Sequence, residues 1–270
     1  AAKQAGLRLI IGARLCLSDG TPDLICLPTN RAAYGRLSRL LSEGKMKSDK
    51  GQCHSTLADV AAASDGQIFI AIPPDNFCWT SASAAAPKTD AGDNQSGQGD
   101  LETHLARIVA TLHASRGCYM AASCLYDGRD RARLNVLSDI AQRTGLPLVA
   151  TNLPIYHAPH RKPLQDVLTC IREKTTIAQA GRRLEVNAER HLKSPAEMQR
   201  LFRSCPQALT RTCEIAEACR FSLDELVYEY PDEPLPKNRT PQDHLEVLTW
   251  EGAKWRFDGD VPEAVSMTIK

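Results

Sequence analysis

Residues 118–151, CYMAASCLYDGRDRARLNVLSDIAQRTGLPLVAT, decide the fold that the sequence predicts. Apolar runs at 118–125 and 146–151 each predict a strand. Between them, Asp130 opens a stretch with apolar residues at helical spacing, and Gly145 closes it. A strand, a crossover helix and a second strand are typical of a parallel sheet with helices on its faces. The stretch therefore predicts an α/β fold.

The sequence on either side extends this pattern. On the N-terminal side, short apolar runs and helical spacings predict a hairpin from 7–17 and 23–27, helices at 31–44 and 56–64, a strand at 67–72 and a helix at 101–115. After residue 163 the spacing is helical throughout, and it predicts helices at 164–174, 177–192, 195–204, 207–219 and 242–255. We therefore expect an α/β portion followed by a mainly helical one.

Two stretches lack this patterning. Residues 79–100 consist largely of Ser, Ala, Gly, Asp and Gln, which bury too little apolar surface to offset chain entropy, so they predict a disordered insertion. Residues 228–241, YEYPDEPLPKNRTP, are acidic and proline-rich and predict a domain boundary. The chain opens AAKQAG, without methionine, and we expect that something precedes it.

The composition excludes several classes of protein. The 270 residues carry 33 basic and 32 acidic side chains, a formal net charge of +1, so attraction to nucleic acid would depend on local patches. None of the 10 cysteines forms a Cys-x-x-Cys pair, which favours buried thiols in a reducing compartment over a structural zinc site. No run approaches the roughly 20 apolar residues that span a bilayer. We expect a cytoplasmic protein with no membrane partner.

Eight ordered segments carry a family resemblance. They are LRLIIGARLCL, NRAAYGRLSRLLSEGK, KGQCH, PLVATN, YHAPHRKPLQDVLTCIREKTTI, NAERHLKSPAEMQRLF, EIAEACRFSLDELVYEYPDE and TPQDHLEVLTW. In this order they resemble the error-prone branch of bacterial C-family DNA polymerases, relatives of the alpha subunit of DNA polymerase III. The resemblance spans nearly the whole chain outside the 79–100 insertion.

This resemblance implies an incomplete PHP-type (β/α)7 barrel followed by a mainly helical segment. Residues 1–233 would be a PHP domain lacking its N-terminal strand or strands, and 234–270 a linker and the start of the polymerase core. The chain would be truncated at both ends, with the polymerase active site elsewhere. The implied parent is a DNA-directed DNA polymerase of repair and damage-induced mutagenesis that uses Mg²⁺. Its implied partners are DNA and other mutagenesis or replisome proteins.

The resemblance also identifies positions where metal ligands would lie. A PHP phosphoesterase holds a cluster of ions with His, Asp and Glu at strand ends. Where related domains carry Gly-x-Glu or Gly-x-Asp, this chain ends the motif with Arg14; where they carry Asn-Asp-x-His, it has Leu153 and Ile155. None of these three side chains ligates a cation, and Arg14 would repel one. We therefore predict no catalytic residue, no metal site and no cofactor on this fragment.

Histidines and basic residues supply the other candidates. His157 and His160, three apart around a proline, are candidate ligands or phosphate contacts, although loop histidines are more often solvated. One basic stretch is a candidate for steering a DNA backbone; it contains Arg31, Arg36, Arg39, Lys45, Lys47 and Lys50. A second invites the same interpretation, with Arg161, Lys162, Arg172, Lys174, Arg182 and Arg183. The alternative for both is an ordinary solvated surface.

Two functions compete at this point. The chain is either a non-catalytic scaffold and interaction domain of a translesion polymerase, or a metal-dependent PHP phosphoesterase or 3′–5′ exonuclease. Arg14, Leu153 and Ile155 favour the first.

Overall fold

The computed structural model describes residues 4–74, 96–227, 235–236 and 239–269, with backbone alone at 96–100. The chain divides into two compact units, Ala1–Leu226 and Val227–Lys270. Residues 79–95 of the predicted insertion lie outside the described residues. The last five residues of the insertion, 96–100, are helical in the structure: the helix that was predicted to begin at 101 begins at Ser96.

The first unit is built on a five-stranded sheet in the order β1 to β5. The strands are β1 Ala13–Leu15, β2 Leu24–Pro28, β3 Gln67–Ala71, β4 Gly117–Ala122 and β5 Leu148–Ala150. β1, β2 and β3 pair antiparallel, whereas β3, β4 and β5 pair parallel. The short turn between β1 and β2 permits only an antiparallel pair, while the crossover helices permit parallel pairs. The predicted α/β class is confirmed; the sheet formed by the described residues is mixed and not closed.

Eight helices of the described chain belong to the first unit. They are α1 Arg31–Met46, α2 Leu57–Ala62, α3 Ser96–Thr111, α4 Asp130–Thr144, α5 Lys162–Arg172, α6 Ile177–Ala180, α7 Pro195–Leu201 and α8 Pro206–Ala218. Two further helices, α9 Pro241–Arg256 and α10 Glu263–Ile269, lie in the second unit. α4 has the predicted bounds and ends at Gly145, whose φ of 71° is the left-handed conformation that favours glycine.

Both faces of the central strands are buried, as expected for parallel strands covered by helices. On one face, Phe69 and Met120 belong to the main core with Leu105 of α3 and Leu137 of α4. On the other, a smaller cluster contains Ile68, Ile70, Ala121 and Val149 of the strands with Ile215 and Cys219 of α8 and the residue after it. α8 also covers the β5 edge. Arg211 Nη1 donates to the Leu148 carbonyl at 3.0 Å, and Thr212 Oγ1 donates to the Ala150 carbonyl at 3.0 Å. The edge is thereby protected from pairing with another strand.

One predicted helix is wrong over most of its length. Of residues 177–192, only α6 and the 3-10 turn Gly181–Arg183 are helical. Gly181, with φ of 52°, ends α6. Beyond Gly181 the backbone forms hydrogen bonds with the segment after β5. Ile155 N donates to Arg190 O at 2.9 Å, and Leu192 N donates to Tyr156 O at 3.2 Å. These long-range hydrogen bonds compete with helical ones and replace them.

Candidate functional site

A cavity of about 380 Å³ lies beside the segment that follows β5. The carboxyl ends of parallel strands are where α/β sheets bind ligands. Arg14 of β1 lines this cavity together with Leu153, Ile155 and Arg190. The rest of its lining is apolar or glycine: Ile10, Gly12, Ala13, Ile25, Leu27, Ile72 and Pro154. The structure thus brings together Arg14, Leu153 and Ile155, the three positions that the sequence singled out.

Arg14 is held by the turn between β1 and β2. Its Nε donates to Asp23 Oδ2 at 2.7 Å, and its Nη2 lies 2.7 Å from the same oxygen. Arg14 also lines a neighbouring cavity of about 380 Å³ with Asp23, Thr21 and His104. The Arg14 side chain keeps 58% of its exposure. An ion-paired guanidinium group therefore lies between the two cavities.

Gly12 marks a close approach of two backbones at the cavity wall. A Cβ atom at this position would lie 2.6 Å from Leu27 Cδ2 and 2.8 Å from the Cys26 carbonyl oxygen. Both distances are shorter than ordinary van der Waals contact, so a side chain at position 12 would separate the first strands of the sheet. Glycine is required here for space.

The segment after β5 is held by the residues of the wrongly predicted helix. Asn152 Nδ2 donates to the carbonyl oxygens of Glu189 and His191, at 2.8 and 2.9 Å. Leu153 has a φ of 41°, an uncommon conformation for a residue with a side chain. Arg190 Nε donates to the Leu153 carbonyl at 3.0 Å, and its Nη1 to Glu185 Oε1 at 2.6 Å. Arg190 is a cavity residue that the sequence interpretation missed, because no local motif marks it.

Next to this segment, a lysine is buried among acidic and aromatic partners. The Lys193 side chain has 0% exposure, and its Nζ lies 2.6 Å from Glu189 Oε2 and 3.5 Å from Glu197 Oε1. Its Nζ also lies 5.6 Å from the ring centroid of Tyr126. A buried charge is tolerable only with such partners. This cluster ties the loop after β4 to the segment before α7 and has a structural role.

A buried arginine of α4 and a buried thiol lie beside the loop after β4. Arg133, whose side chain is 8% exposed, pairs with Asp127 at 2.5 Å and Asp130 at 3.1 Å. Burial raises the pKa of the Cys124 thiol to about 11, and the nearby Asp130 adds to the shift. A thiol with so high a pKa is protonated at neutral pH and is a poor nucleophile.

The two candidate histidines are neighbours. The rings of His157 and His160 have centroids 6.0 Å apart in an edge-to-face arrangement, and both residues are exposed. Across the described ranges, no group of three or more His, Cys, Asp or Glu side chains lies close enough to hold a metal ion. His157 and His160 therefore belong to no such group among the described residues.

The basic residues around α1 are unequally available. Arg36 donates from Nε and Nη2 to the Asp65 carbonyl, and Lys47 Nζ lies 3.8 Å from Asp59. Arg31, Arg39 and Lys45 are exposed and lie opposite the buried face of the helix, which contains Ala33, Leu37, Leu40 and Gly44. Lys50, after the helix, is also exposed. We call Arg31, Arg39 and Lys45 the α1 basic face.

Comparison with known proteins identifies the relatives of this chain. An error-prone DNA polymerase of Rhodopseudomonas palustris (strain BisB5) is 47% identical over 262 residues, which is 97% of this chain and 22% of the relative. That of Caulobacter vibrioides is 42% identical over 274 residues, 100% of this chain and 23% of the relative.

The chain is related in sequence to error-prone DNA polymerases. The resemblance predicted from the eight ordered segments is therefore confirmed. A third such polymerase, from Brucella suis biovar 1, is 42% identical over 261 residues, covering 96% of this chain. The chain spans about a fifth of the length of these error-prone DNA polymerases. No protein-family model matches it.

Within the described part of the chain, no helix is long and apolar enough to cross a membrane.

Proposed function

We propose that this chain is the PHP-type portion of an error-prone DNA polymerase and serves it as a non-catalytic scaffold and interaction domain. Residues 1–233 would form an incomplete (β/α)7 barrel, and 234–270 would link it to the polymerase core. Identity of 42–47% to error-prone polymerases over nearly the whole chain supports the parent protein. The parent would be a cytoplasmic DNA-directed polymerase that acts on DNA with Mg²⁺ in repair and mutagenesis, alongside other mutagenesis or replisome proteins.

The observation that carries the scaffold role is the lining of the cavity beside β5. A PHP phosphoesterase would need carboxylates and imidazoles there to hold ions and to lower the pKa of a bound water. The cavity instead presents Arg14 and Arg190 against Leu153 and Ile155. Neither guanidinium group can coordinate a cation, and the aliphatic side chains supply no ligand. The phosphoesterase or exonuclease alternative lacks its donors at this cavity.

The test of the scaffold role combines metal content with hydrolysis. The purified chain is dialysed against Mn²⁺ or Zn²⁺, its bound ions are counted by mass spectrometry, and it is incubated with p-nitrophenyl phosphate and with 3′-labelled single-stranded DNA. We expect fewer than one tightly bound ion per chain and no hydrolysis above a heat-denatured sample. Two or more bound ions together with metal-dependent hydrolysis would overturn the scaffold role in favour of the phosphoesterase.

A separate experiment tests the parent activity. The complete polypeptide that the reading frame encodes is assayed for extension of a primed template, beside the isolated 270-residue chain. We expect extension by the complete polypeptide with Mg²⁺ and none by the 270 residues. Extension by the 270 residues alone would contradict the assignment of the polymerase site to another segment.

A further inference from the structure

Helix α5 exposes an apolar stripe. Leu164, Val167, Leu168 and Ile171 have the i, i+3, i+4 and i+7 spacing that places them on one helix face. Their exposed fractions run from 40% for Val167 to 68% for Ile171. Ile177, at the start of α6, is 57% exposed. We call these five residues the α5 stripe.

The opposite face of α5 already anchors the helix. Thr169 and Cys170 are buried, 8% and 5% exposed, and they lie on the side of the helix away from the stripe. The main contacts of α5 with other elements are with α6 and the 3-10 turn Pro159–Arg161. The stripe is therefore not needed to hold α5 in place. A contiguous apolar patch of this kind marks an interaction surface more often than chance exposure.

The stretch of chain that carries the stripe is basic. Between residues 161 and 183 there are six basic and two acidic side chains, a net charge of +4. Both acids are engaged within the chain, Asp166 with Lys162 at 2.7 Å and Glu173 with Arg172 at 3.1 Å. Four further basic residues are exposed: Arg161 and Lys174 lie at the two ends of α5, and Arg182 and Arg183 lie in the 3-10 turn after α6. An apolar face next to basic residues is complementary to an apolar face next to acidic ones.

We propose that the α5 stripe is a docking site for an acidic amphipathic helix of a partner protein. Leucine-type residues of that helix would cover Leu168 and Ile171, and its carboxylates would face the exposed basic residues. DNA alone would match the charges and leave the aliphatic side chains uncovered. An anionic membrane surface attracts basic amphipathic helices as well, so binding to vesicles is one outcome of the test below. The proposal deepens the interaction role given above and rests on it.

The experiment uses the whole 270-residue chain and two synthetic peptides. Both peptides carry leucines at the same i, i+3, i+4 and i+7 positions; one has glutamates and the other lysines at the flanking positions. Binding is followed by fluorescence anisotropy of the labelled peptides. We expect the acidic peptide to bind at least about tenfold more tightly than the basic one, and its affinity to fall with salt.

Variants identify the surface. Leu168→Glu and Ile171→Glu are each expected to weaken the acidic peptide at least about tenfold. The double variant Lys174→Glu, Arg183→Glu changes only basic residues outside the stripe. We expect it to bind the acidic peptide more weakly and the basic peptide more tightly. Met46→Glu is the matched control, because Met46 is 86% exposed at the end of another helix. All five positions are exposed, and unchanged thermal unfolding midpoints verify that the variants fold.

Three results would overturn the proposal. One is equal binding, or no binding, of the two peptides. Another is a dimer of the chain in sedimentation that Ile171→Glu dissociates, since the stripe would then be covered by a second copy. The last is binding to anionic phosphatidylglycerol vesicles that the same variant abolishes. None of these measures hydrolysis or primer extension, so failure here is distinguishable from failure of the proposed polymerase assignment.

Discussion

Arg14 and Asp23 are joined across the turn between β1 and β2 by two contacts of 2.7 Å to one carboxylate oxygen, Oδ2 of Asp23. This ion pair fixes a guanidinium group at the wall of the cavity beside the segment that follows β5. Because the Arg14 side chain is 58% exposed, water screens the pair, and its worth to stability is at most about 1 kcal/mol. Arg14 therefore affects the chemistry of the cavity more than the stability of the fold.

Arg14→Asp is expected to leave the cavity without a metal centre. The substitution removes the positive charge, but Leu153 and Ile155 still supply no ligand, and two carboxylates would face each other across the turn. We expect no gain in bound Mn²⁺ by mass spectrometry and a loss of about 1 kcal/mol in urea unfolding. Arg39→Asp is the control for the charge change. Stoichiometric Mn²⁺ in Arg14→Asp alone would contradict the view that several ligand positions are lost.

The same substitution at two glycines should have opposite effects on stability. Gly12→Ala places a Cβ 2.8 Å from the Cys26 carbonyl, so we expect a loss of about 1–3 kcal/mol. Gly35→Ala lies within α1 with nothing within 4 Å of the new atom, so we expect a gain of about 0.5–1 kcal/mol from helix propensity. Urea unfolding monitored by circular dichroism measures both. Equal effects of the two substitutions would refute the close approach at Gly12.

Acid should weaken the interaction between Asp127 and Arg133. Burial by itself would raise the pKa of Asp127, but hydrogen bonds from the Arg129 backbone and the Arg133 side chain, with the charges of both arginines, lower it below its ordinary 3.8. A carboxylate with a lowered folded-state pKa stabilises the fold above its unfolded pKa, and this stabilisation is lost as pH falls through the folded value.

Asp127→Asn should therefore cost about 1–3 kcal/mol at pH 7, because the buried Arg133 loses a charged partner. The difference from the original chain should shrink as the pH falls below about 4. Urea unfolding at a series of pH values gives this difference directly. Asp49→Asn, at an exposed position, serves as the reference. A difference that stays constant down to the acid limit of folding would show that Asp127 acts through something other than its charge.

The α1 basic face tests contact with DNA. If three phosphates lie against Arg31, Arg39 and Lys45, reversing all three to Glu should weaken binding and make the slope of log affinity against log salt less steep by about 2–3. Fluorescence anisotropy with a labelled primed template at several salt concentrations measures the slope. The matched control reverses Arg131, Arg203 and Arg220, which are also exposed and lie outside both basic stretches. Identical slopes for the two triple variants would exclude a specific role for α1.

The sequence predicted the elements whose signals are local. The bounds of α4 follow from Asp130, the helical spacing and Gly145, and the helix predicted at 56–64 forms as α2, Leu57–Ala62. The prediction of a helix at 177–192 was wrong because backbone groups of this stretch form hydrogen bonds with the segment after β5. No local sequence signal within residues 177–192 indicates these long-range hydrogen bonds. The short helix α10 was missed as well.

For the candidate site, the sequence by itself determined that Arg14, Leu153 and Ile155 are not cation ligands, since that follows from side-chain chemistry. Only the tertiary structure decided that these three residues share one cavity and that Arg190, bonded to a carbonyl 37 residues away, is part of its lining. It alone decided that one face of α5 is left uncovered. Periodicity, capping and ligand chemistry are properties of near neighbours along the chain, whereas strand pairing and burial depend on residues that only folding brings together.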